Sequence, residues 1–595
     1  MIRFLRSRLG GDRGVAMPLV IGITSVLMIL ITTAVVTSVN GIRQSSTTAN
    51  WSGALGAAYA GVEEYQSRLT VDPSYWTWGD PASPFVTASS STVKKPAQAN
   101  PAFGLGSAGS WSTVPGSSER AEFRYQVDNS RYASAGVLRL QSTGRVGGEI
   151  RTILADLKQD GFINYLYFTD FEIQDPVYSN KSTTECRTYA WAWSNRTKTR
   201  KDACGTISFG GNDILEGPVH SNDTMLICKA TFKQQVTTGY KRTTAGNLYS
   251  SDGCGNGQSP SFEKSKPTST DLLPVPESNT AMKKETRADL KDSDVPRPGC
   301  LYTGPTKITL LADGFVTVRS PFTKATQVTG DPARGAVANA QCGNIANIQS
   351  AEGDTFKLPE NNLIYVQNVP VDSTRNPNYS VSNSAQDKAC TVRYGSNNRN
   401  YASNGIGYPI DQNEDVPFSD SEKMSYGCRN GDVFIEGTIR GNTTVAAENY
   451  IYITGDIRRQ VPSEDILGLV GDNAVWVYNP MDGNTPMKDN NQKGRTIEAA
   501  ILSVNHTFGV QNHDLGSRNR GELRVTGSIA QRFRGPVGMG TSDGTITTGY
   551  KKVYKYDEAL LKKAPPKFLN PVTTSYGVTT WIEVDRAVNS DGSAR

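Results

Sequence analysis

Histidine is scarce: only His220, His506 and His513 occur in 595 residues, none in a His-Glu-x-x-His or similar spacing, so a zinc centre is not expected. No phosphate-cradling P-loop is present, which excludes a nucleotide-driven motor of that kind. A strong charge of one sign is missing too. The 62 Lys and Arg stand against 57 Asp and Glu, and the leader Met1–Gly14 (Arg3, Arg6, Arg8 and Arg13 against Asp12) holds +3 of the net +5. The rest is near neutral at +2, with no broad basic field to grip nucleic acid, so no nucleic-acid partner is expected. Cysteine is absent before residue 186 and after residue 428.

What is plentiful is turn chemistry. With 57 Gly and 30 Pro, long helices should be rare and the length allows two to four domains. The cysteines that do occur are Cys186, Cys204, Cys228, Cys254, Cys300, Cys342, Cys390 and Cys428. Their even number, without Cys-x-x-Cys or Cys/His pairs, favours disulfides made in an oxidising compartment over free thiols. Sequential pairing would close loops of 18 to 42 residues, each contributing roughly 3 kcal/mol in the chain-entropy description. Other connectivities remain open.

The N-terminus is the most informative segment. Val15 to Ile42 is 28 residues without a charge, about 42 Å as a helix and enough to span a bilayer. Arginines on its N-terminal side keep the leader in the cytoplasm and send everything after Arg43 outside. A secretory signal would have a shorter apolar core and a small-residue cleavage site, so a retained helix is expected. Beyond the span, Trp51, Leu55, Ala58, Val62, Tyr65 and Leu69 recur at spacings of 4, 3, 4, 3 and 4, one stripe that faces a partner, packs on the chain's own domain, or does one at each end.

A short basic leader, then Asp12-Arg13-Gly14, then an uninterrupted apolar helix running into an amphipathic one resembles the class III signal and first helix of type IV pilins. Arg13-Gly14-Val15-Ala16-Met17 and Ala57-Ala58-Tyr59-Ala60-Gly61-Val62-Glu63 are most similar to PilX-type minor pilins and K-type minor pseudopilins of type II secretion. The resemblance implies cleavage after Gly14 by a prepilin peptidase, with Val15 as the mature first residue. It implies a membrane-held precursor, then an extracytoplasmic fibre. The partners implied are major and other minor pilins, through the helix, and a membrane assembly platform. Ordinary pilins carry glutamate at the fifth mature position, where this chain has Leu19. A subunit without that carboxylate leaves a neighbour's buried amine unpaired, so the likeness to K-type pseudopilins implies a place at the fibre tip.

After an irregular Ser/Ala/Pro/Gly-rich stretch over 71–120, Phe123–Val127, Val137–Leu140 and Ile150–Ile153 alternate as an antiparallel meander, giving a pilin-like domain over 71–160 behind the helix of 15–70. Ser142–Val146 and Thr152–Ala155 are similar to that part of PilX-like proteins. Next come a β-rich, cysteine-bearing region (161–257), a polar Pro-rich loop or linker (258–300) and a long C-terminal region (301–595). Val433–Ile439, Ile451–Ile457 and Leu523–Ile529 share apolar-x-apolar-x-Gly-x-Ile, with starts separated by 18 and then by four times 18, and Ile214–Asn222 carries a similar turn. Such a period suits the coils of a β-solenoid, with a β-sandwich as the alternative. The class is therefore α+β. Tyr556–Leu561 through Pro565-Pro566 is similar to the closing region of PilX-like proteins, and Thr579–Val584 reads as a last strand.

Chemistry is sparse. Gly540-x-Ser542-x-Gly544 is followed by a strand or turn pattern rather than a helix, so it reads as a loop. Asp411–Asp415 and Asp482-Gly-Asn484 offer calcium-type oxygens without an EF-hand pattern, so no cofactor is expected. A non-enzymatic fibre subunit presenting a domain to an unknown surface or host ligand is the leading expectation; a membrane-anchored polysaccharide-active β-helix enzyme is the alternative. Tyr189, Trp191 and Trp193 are candidate binding aromatics.

Overall fold

Ala16–Val71 is one 56-residue helix. Its single proline, Pro18, sits in the first turn, where no backbone hydrogen bond is lost. The computed structural model describes residues 16–589 other than 73–74, 87–90, 98–99, 106–109, 118–119, 133–136, 160, 194–198, 212, 243–245, 292–294, 296, 338, 372–374, 383, 385–386, 388–389, 395–398, 416–424, 488–493, 542–544, 562 and 572–575. It divides into two units: Met1–Arg131 with Val137–Lys158 and Tyr576–Arg595, and Gln159–Ser575 with Tyr132–Gly136.

In the first unit, every helix residue from 16 to 49 is exposed. The hydroxyls of Thr24, Thr32, Thr33 and Thr37 donate to carbonyls three or four residues earlier, at 2.6–3.0 Å, so these polar groups are satisfied within the helix. From Ala54 onward one face is buried on an antiparallel sheet. Ser112–Thr113, Ala121–Asp128, Val137–Val146 and Glu149–Gln159 pair in chain order. Tyr576–Val584 is the fifth strand, beside Glu149–Gln159. The last strand therefore belongs to this sheet, and not to the C-terminal region in which the sequence placed it. In the chain, the long segment of the second unit, Gln159–Ser575, falls between these two neighbouring strands of the first.

The second unit is built mainly on parallel ladders stacked as the coils of a solenoid rather than as a sandwich, with one register shift after Ile435 and the antiparallel strands Phe315–Arg319 and Asp354–Lys357 added beside Thr306–Leu310. One ladder joins Cys300–Thr303, Asn362–Gln367, Asn442–Ala447, Ile466–Gly471, the second halves of Arg495–Ser503 and Glu522–Phe533, then Tyr167–Phe171, Val219–Ser221, Val236–Thr238 and Thr268–Ser269. Another joins Thr306–Leu310, Val433–Ile439, Ile451–Arg459, Arg495–Ser503, Glu522–Phe533, Lys551–Tyr556, Ile214–Glu216, Thr231–Phe232 and Ser261–Phe262. A third, shorter ladder joins Ile451–Arg459, Val475–Val477 and Phe508–Val510. Ile308, Ile435 and Ile453 stack on one another, as do Leu469, Ile501 and Ile529, and all six lie in one buried core, because each coil hides its apolar side only against its neighbours.

Spatial order is not chain order. The chain enters mid-stack at Tyr167–Phe171 and builds outward to Ser261–Ser269. It then crosses to the far end and rebuilds from Cys300 until Ile529–Phe533 pairs with Tyr167–Phe171. Buried ion pairs lie across this seam: Arg534 Nη1 lies 3.2 Å from Glu172 Oε2, its guanidinium 3.5 Å over the Phe209 ring, and Lys552 Nζ 3.1 Å from Asp213. Gln531 Nε2 donates to Tyr167 Oη at 2.7 Å. Paired in this way, the charges tolerate burial that would be costly alone.

The crossing segment is where the expected polar linker of 258–300 differs. Ser261–Phe262 and Thr268–Ser269 form the last coil, and the segment after them is a strap fastened along a ladder. Leu273, Val275 and Met282 are buried with Phe168, Leu301, Tyr365, Val470 and Leu502. Asn279 Nδ2 donates to Ala447 O at 2.8 Å while its Oδ1 accepts from the Tyr365 hydroxyl at 3.1 Å. The anchors are single apolar residues set among prolines and charges, a pattern without periodicity. The expected period of 18 also fails beyond one step. The aligned residues Val433, Ile451, Val475 and Phe508 are 18, 24 and 33 apart, because corners carry insertions. The cysteines join as Cys186–Cys204, Cys228–Cys254, Cys300–Cys342 and Cys390–Cys428.

Candidate functional site

The feature with the largest unmet physical demand is the long helix. Its segment 16–49 is exposed along the whole length, with Leu19, Ile23, Leu27 and Leu30 among the apolar side chains it presents. The helix is long and apolar enough to cross a membrane. Gly14 and Val15, the expected processing residues, lie outside the described residues.

Where the helix meets its sheet, the contact is built from small residues. Ser142 Oγ donates to Ala58 O at 2.7 Å. A Cβ on Gly144 would stand 2.2 Å from Ala54 O and 2.3 Å from Ala58 N, so only glycine fits there. Further along, Tyr125 Oη donates to Glu64 Oε2 at 2.8 Å and lies 3.4 Å from Tyr75 Oη. Burial beside the Glu64 carboxylate raises the Tyr125 phenol far above its ordinary value, so it stays a donor.

This geometry divides the expected assembly residues. Leu19 and Trp51 are exposed, with the Arg151 guanidinium 4.8 Å from the Trp51 ring, and Leu55 is half-buried. Val62, Tyr65 and Leu69 are fully buried against the chain's own sheet. The spacing keeps them on one stripe, and the C-terminal part of that stripe lies on the meander of the same chain, the own-domain packing that the spacing left open at one end of the helix. Missed by sequence reasoning is a second exposed apolar group. Trp581 packs edge-on to Tyr59 at 4.8 Å, with Ile582 exposed beside it in sequence. Two adjacent large apolar residues in a strand point to opposite faces, the signal that both faces of this end strand carry apolar side chains.

Elsewhere the candidate groups are structural. Glu414 accepts from the Tyr426 and Tyr478 hydroxyls at 2.7 and 3.0 Å and from Ile410 N at 2.7 Å, and burial raises its pKa. Asp415 accepts from Gly483 N at 2.6 Å. Among the described residues no group of three or more His, Cys, Asp or Glu is placed to hold a metal ion. His220 is buried against Thr237 and Asn222, with its pKa lowered by burial to about 4. Ser542 lies outside the described residues. Tyr189 stacks on Phe171 at 4.9 Å and Trp191 on Tyr189 at 5.0 Å. Tyr189 and Trp193 are partly buried against Phe171, Phe533 and the Cys186–Cys204 pair, and Trp191 is exposed.

No family model matches the chain, and no curated protein matches it significantly. Among solved structures, the crystal structure of competence-associated pilin ComZ from Thermus thermophilus is similar over 90% of this chain and 97% of that one, at 11% identity and a TM-score of 0.25, a likeness too slight to carry an argument.

Proposed function

We propose that this chain is a minor pilin that works by assembly rather than by catalysis. In this reading it initiates a type IV pilus-like fibre from the tip and presents the solenoid for adhesion or surface contact. The observation that carries this is the helix: its exposed segment 16–49, apolar enough for a bilayer, continues without a break into a segment locked on its own sheet. Such a helix is stable in lipid or packed among like helices, and passing from one to the other needs no refolding of the domain behind it. The basic leader ending at Gly14 supplies the handle for processing, and the disulfides suit a domain that works outside the cytoplasm. Leu19 supports the tip position. The same parts fit a minor pseudopilin of a type II secretion system, which differs in the machine and not in the chemistry of the subunit.

The test is the N-terminal sequence of protein recovered from the envelope and from sheared surface fibres. A start at Val15 is expected for the native chain, and Gly14→Phe should leave an uncleaved precursor in the membrane. Normally processed Gly14→Phe protein in sheared fibres would overturn the reading.

A further inference from the structure

On one side of the solenoid, where residues 174–179 pass over the coils of Val475–Val477 and Phe508–Val510, lies a cleft of about 420 Å³. That is the size of a small-ligand site, large enough for one or two sugar rings. One wall is aromatic. Tyr178 and Trp476 line it with ring centroids 5.2 Å apart, and the His506 ring, which is not itself part of the lining, packs on Tyr178 at 4.9 Å. Asp175 orients the His506 ring, its Oδ2 2.8 Å from His506 Nδ1, while its Oδ1 accepts from Val177 N at 2.9 Å. Tyr178 is tied behind to the Tyr450 hydroxyl at 3.3 Å.

The facing rim is polar and incompletely used. Gln511 is 2% exposed; its Oε1 accepts from the Tyr426 hydroxyl at 3.2 Å, and its Nε2 donates to no described residue. Asn512 holds a left-handed backbone, φ +48°, kept by Nδ2 donating to Asp415 O and Asn479 O, both at 3.2 Å. Its Oδ1 accepts from no described residue. Asn479, directly behind, spends its own Nδ2 on Gln511 O at 3.1 Å, so the turn that carries the rim is fixed from beneath. Asp514 stands at the mouth, and Met539 and Pro536 add an apolar lip.

We infer that this cleft binds a neutral sugar residue of a surface glycan. Each sugar hydroxyl both donates and accepts, which suits a rim offering the Gln511 amide N–H, the Asn512 carbonyl and the Asp514 carboxylate. The apolar ring face of a sugar suits the Tyr178–Trp476 wall. A wholly apolar ligand would bury the Gln511 amide without a partner, at a cost in binding. Among the described residues no lysine or arginine lines the cleft. Burial pushes the His513 imidazole below its ordinary value, so that ring is neutral at pH 7. With two carboxylates and neither lysine nor arginine in its lining, the site disfavours phosphate, sulfate and uronate groups. Backbone strain held at a cleft by side-chain bonds, as at Asn512, is a feature of binding sites.

The binding concerns the solenoid alone. A Gly14 variant that blocks export leaves it intact in the purified chain, so the two readings fail separately. The full-length protein, in a detergent without a sugar headgroup, is titrated with maltotriose, cellotriose and chitotriose, and with chondroitin sulfate as the anionic control. Saturation-transfer NMR and calorimetry read the binding. At least one neutral trisaccharide is expected to saturate, and chondroitin sulfate not to compete. Gln511→Leu and Asp514→Ala should each weaken the interaction about fivefold to tenfold, the usual effect of losing one hydrogen bond. The Asp514 side chain is 61% exposed, so Asp514→Ala should melt as the native protein does, separating lost binding from lost fold. Absence of saturation by all three neutral sugars at tens of millimolar overturns the inference. So does unchanged affinity in both variants, or competition by chondroitin sulfate.

Discussion

Asp432 gives the solenoid a pH dependence of predictable sign. The side chain is wholly buried; Oδ1 accepts from Asn449 Nδ2 at 2.6 Å and from Tyr450 N at 3.2 Å, and Oδ2 has no partner. Loss of water around the carboxylate outweighs those two donors and raises its pKa from 3.8 to about 7. A folded pKa above the unfolded one means that stability is complete below about pH 4 and is lost as pH rises towards 7. The shift of about three units corresponds to roughly 4 kcal/mol at pH 8. Asp432→Asn keeps the Oδ1 acceptor and removes the charge. With unfolding entropy near 2.1 cal/mol/K per residue, a unit of some 400 residues moves about 1 °C per kcal/mol, so Asp432→Asn should melt about 4–5 °C above the native chain at pH 8. At pH 4 the two should coincide. Comparing them at each pH cancels every other titrating group. Melting that does not rise at pH 8, or that rises equally at both pH values, would refute the assignment.

Two further expectations concern the first unit. Gly144→Val places a side chain where the helix backbone already lies, and overpacking of this kind costs about 1–3 kcal/mol or more. Limited proteolysis and thermal melting should show the helix–sheet unit destabilised, while Gly148→Val, where a Cβ meets nothing within 4 Å, serves as a turn control limited to its positive-φ strain. Leu19→Glu restores the carboxylate of ordinary pilins at the fifth mature position, so the subunit should become tolerable within the fibre body. Quantitative immunoblots of sheared fibres should then show its copy number rising severalfold, and an unchanged number would remove Leu19 as a reason for the tip.

How far the sequence spoke varied with how local the signal was. The helix was legible from the uncharged run Val15–Ile42 and the meander from strict alternation, because both patterns are complete within one element. The solenoid was legible as a class from three apolar-x-apolar-x-Gly-x-Ile copies, but its phase was not. Val433–Ile435 pairs with Ile451–Ile453, whereas Gly437 pairs with Ile457 across a bulge, and Ile457 reaches Val525 by way of Ile497 rather than aligning with Ile529. A bulge changes which residue faces inward without leaving a compositional mark. The burial of Val62, Tyr65 and Leu69 was equally hidden, since a helical stripe states that one side is covered and not by what. The sugar cleft was invisible because Tyr178 stands far from Trp476 and Gln511 along the chain, and each is ordinary in isolation.

The mid-stack start of the solenoid sets an order of events. Tyr167 pairs with Ile529, and Glu172 with Arg534, across 362 residues. Neither flank of the stack can close on the other until the polypeptide is complete to Tyr556. Contacts so distant along the chain are slow to form, and until they do, the edges of Tyr167–Phe171 and Glu522–Phe533 stand open as templates for the wrong strand. A chain threaded through a membrane from its N-terminus would expose the first of these edges for the longest interval, so the last closure in time is the centre of the object and not its end.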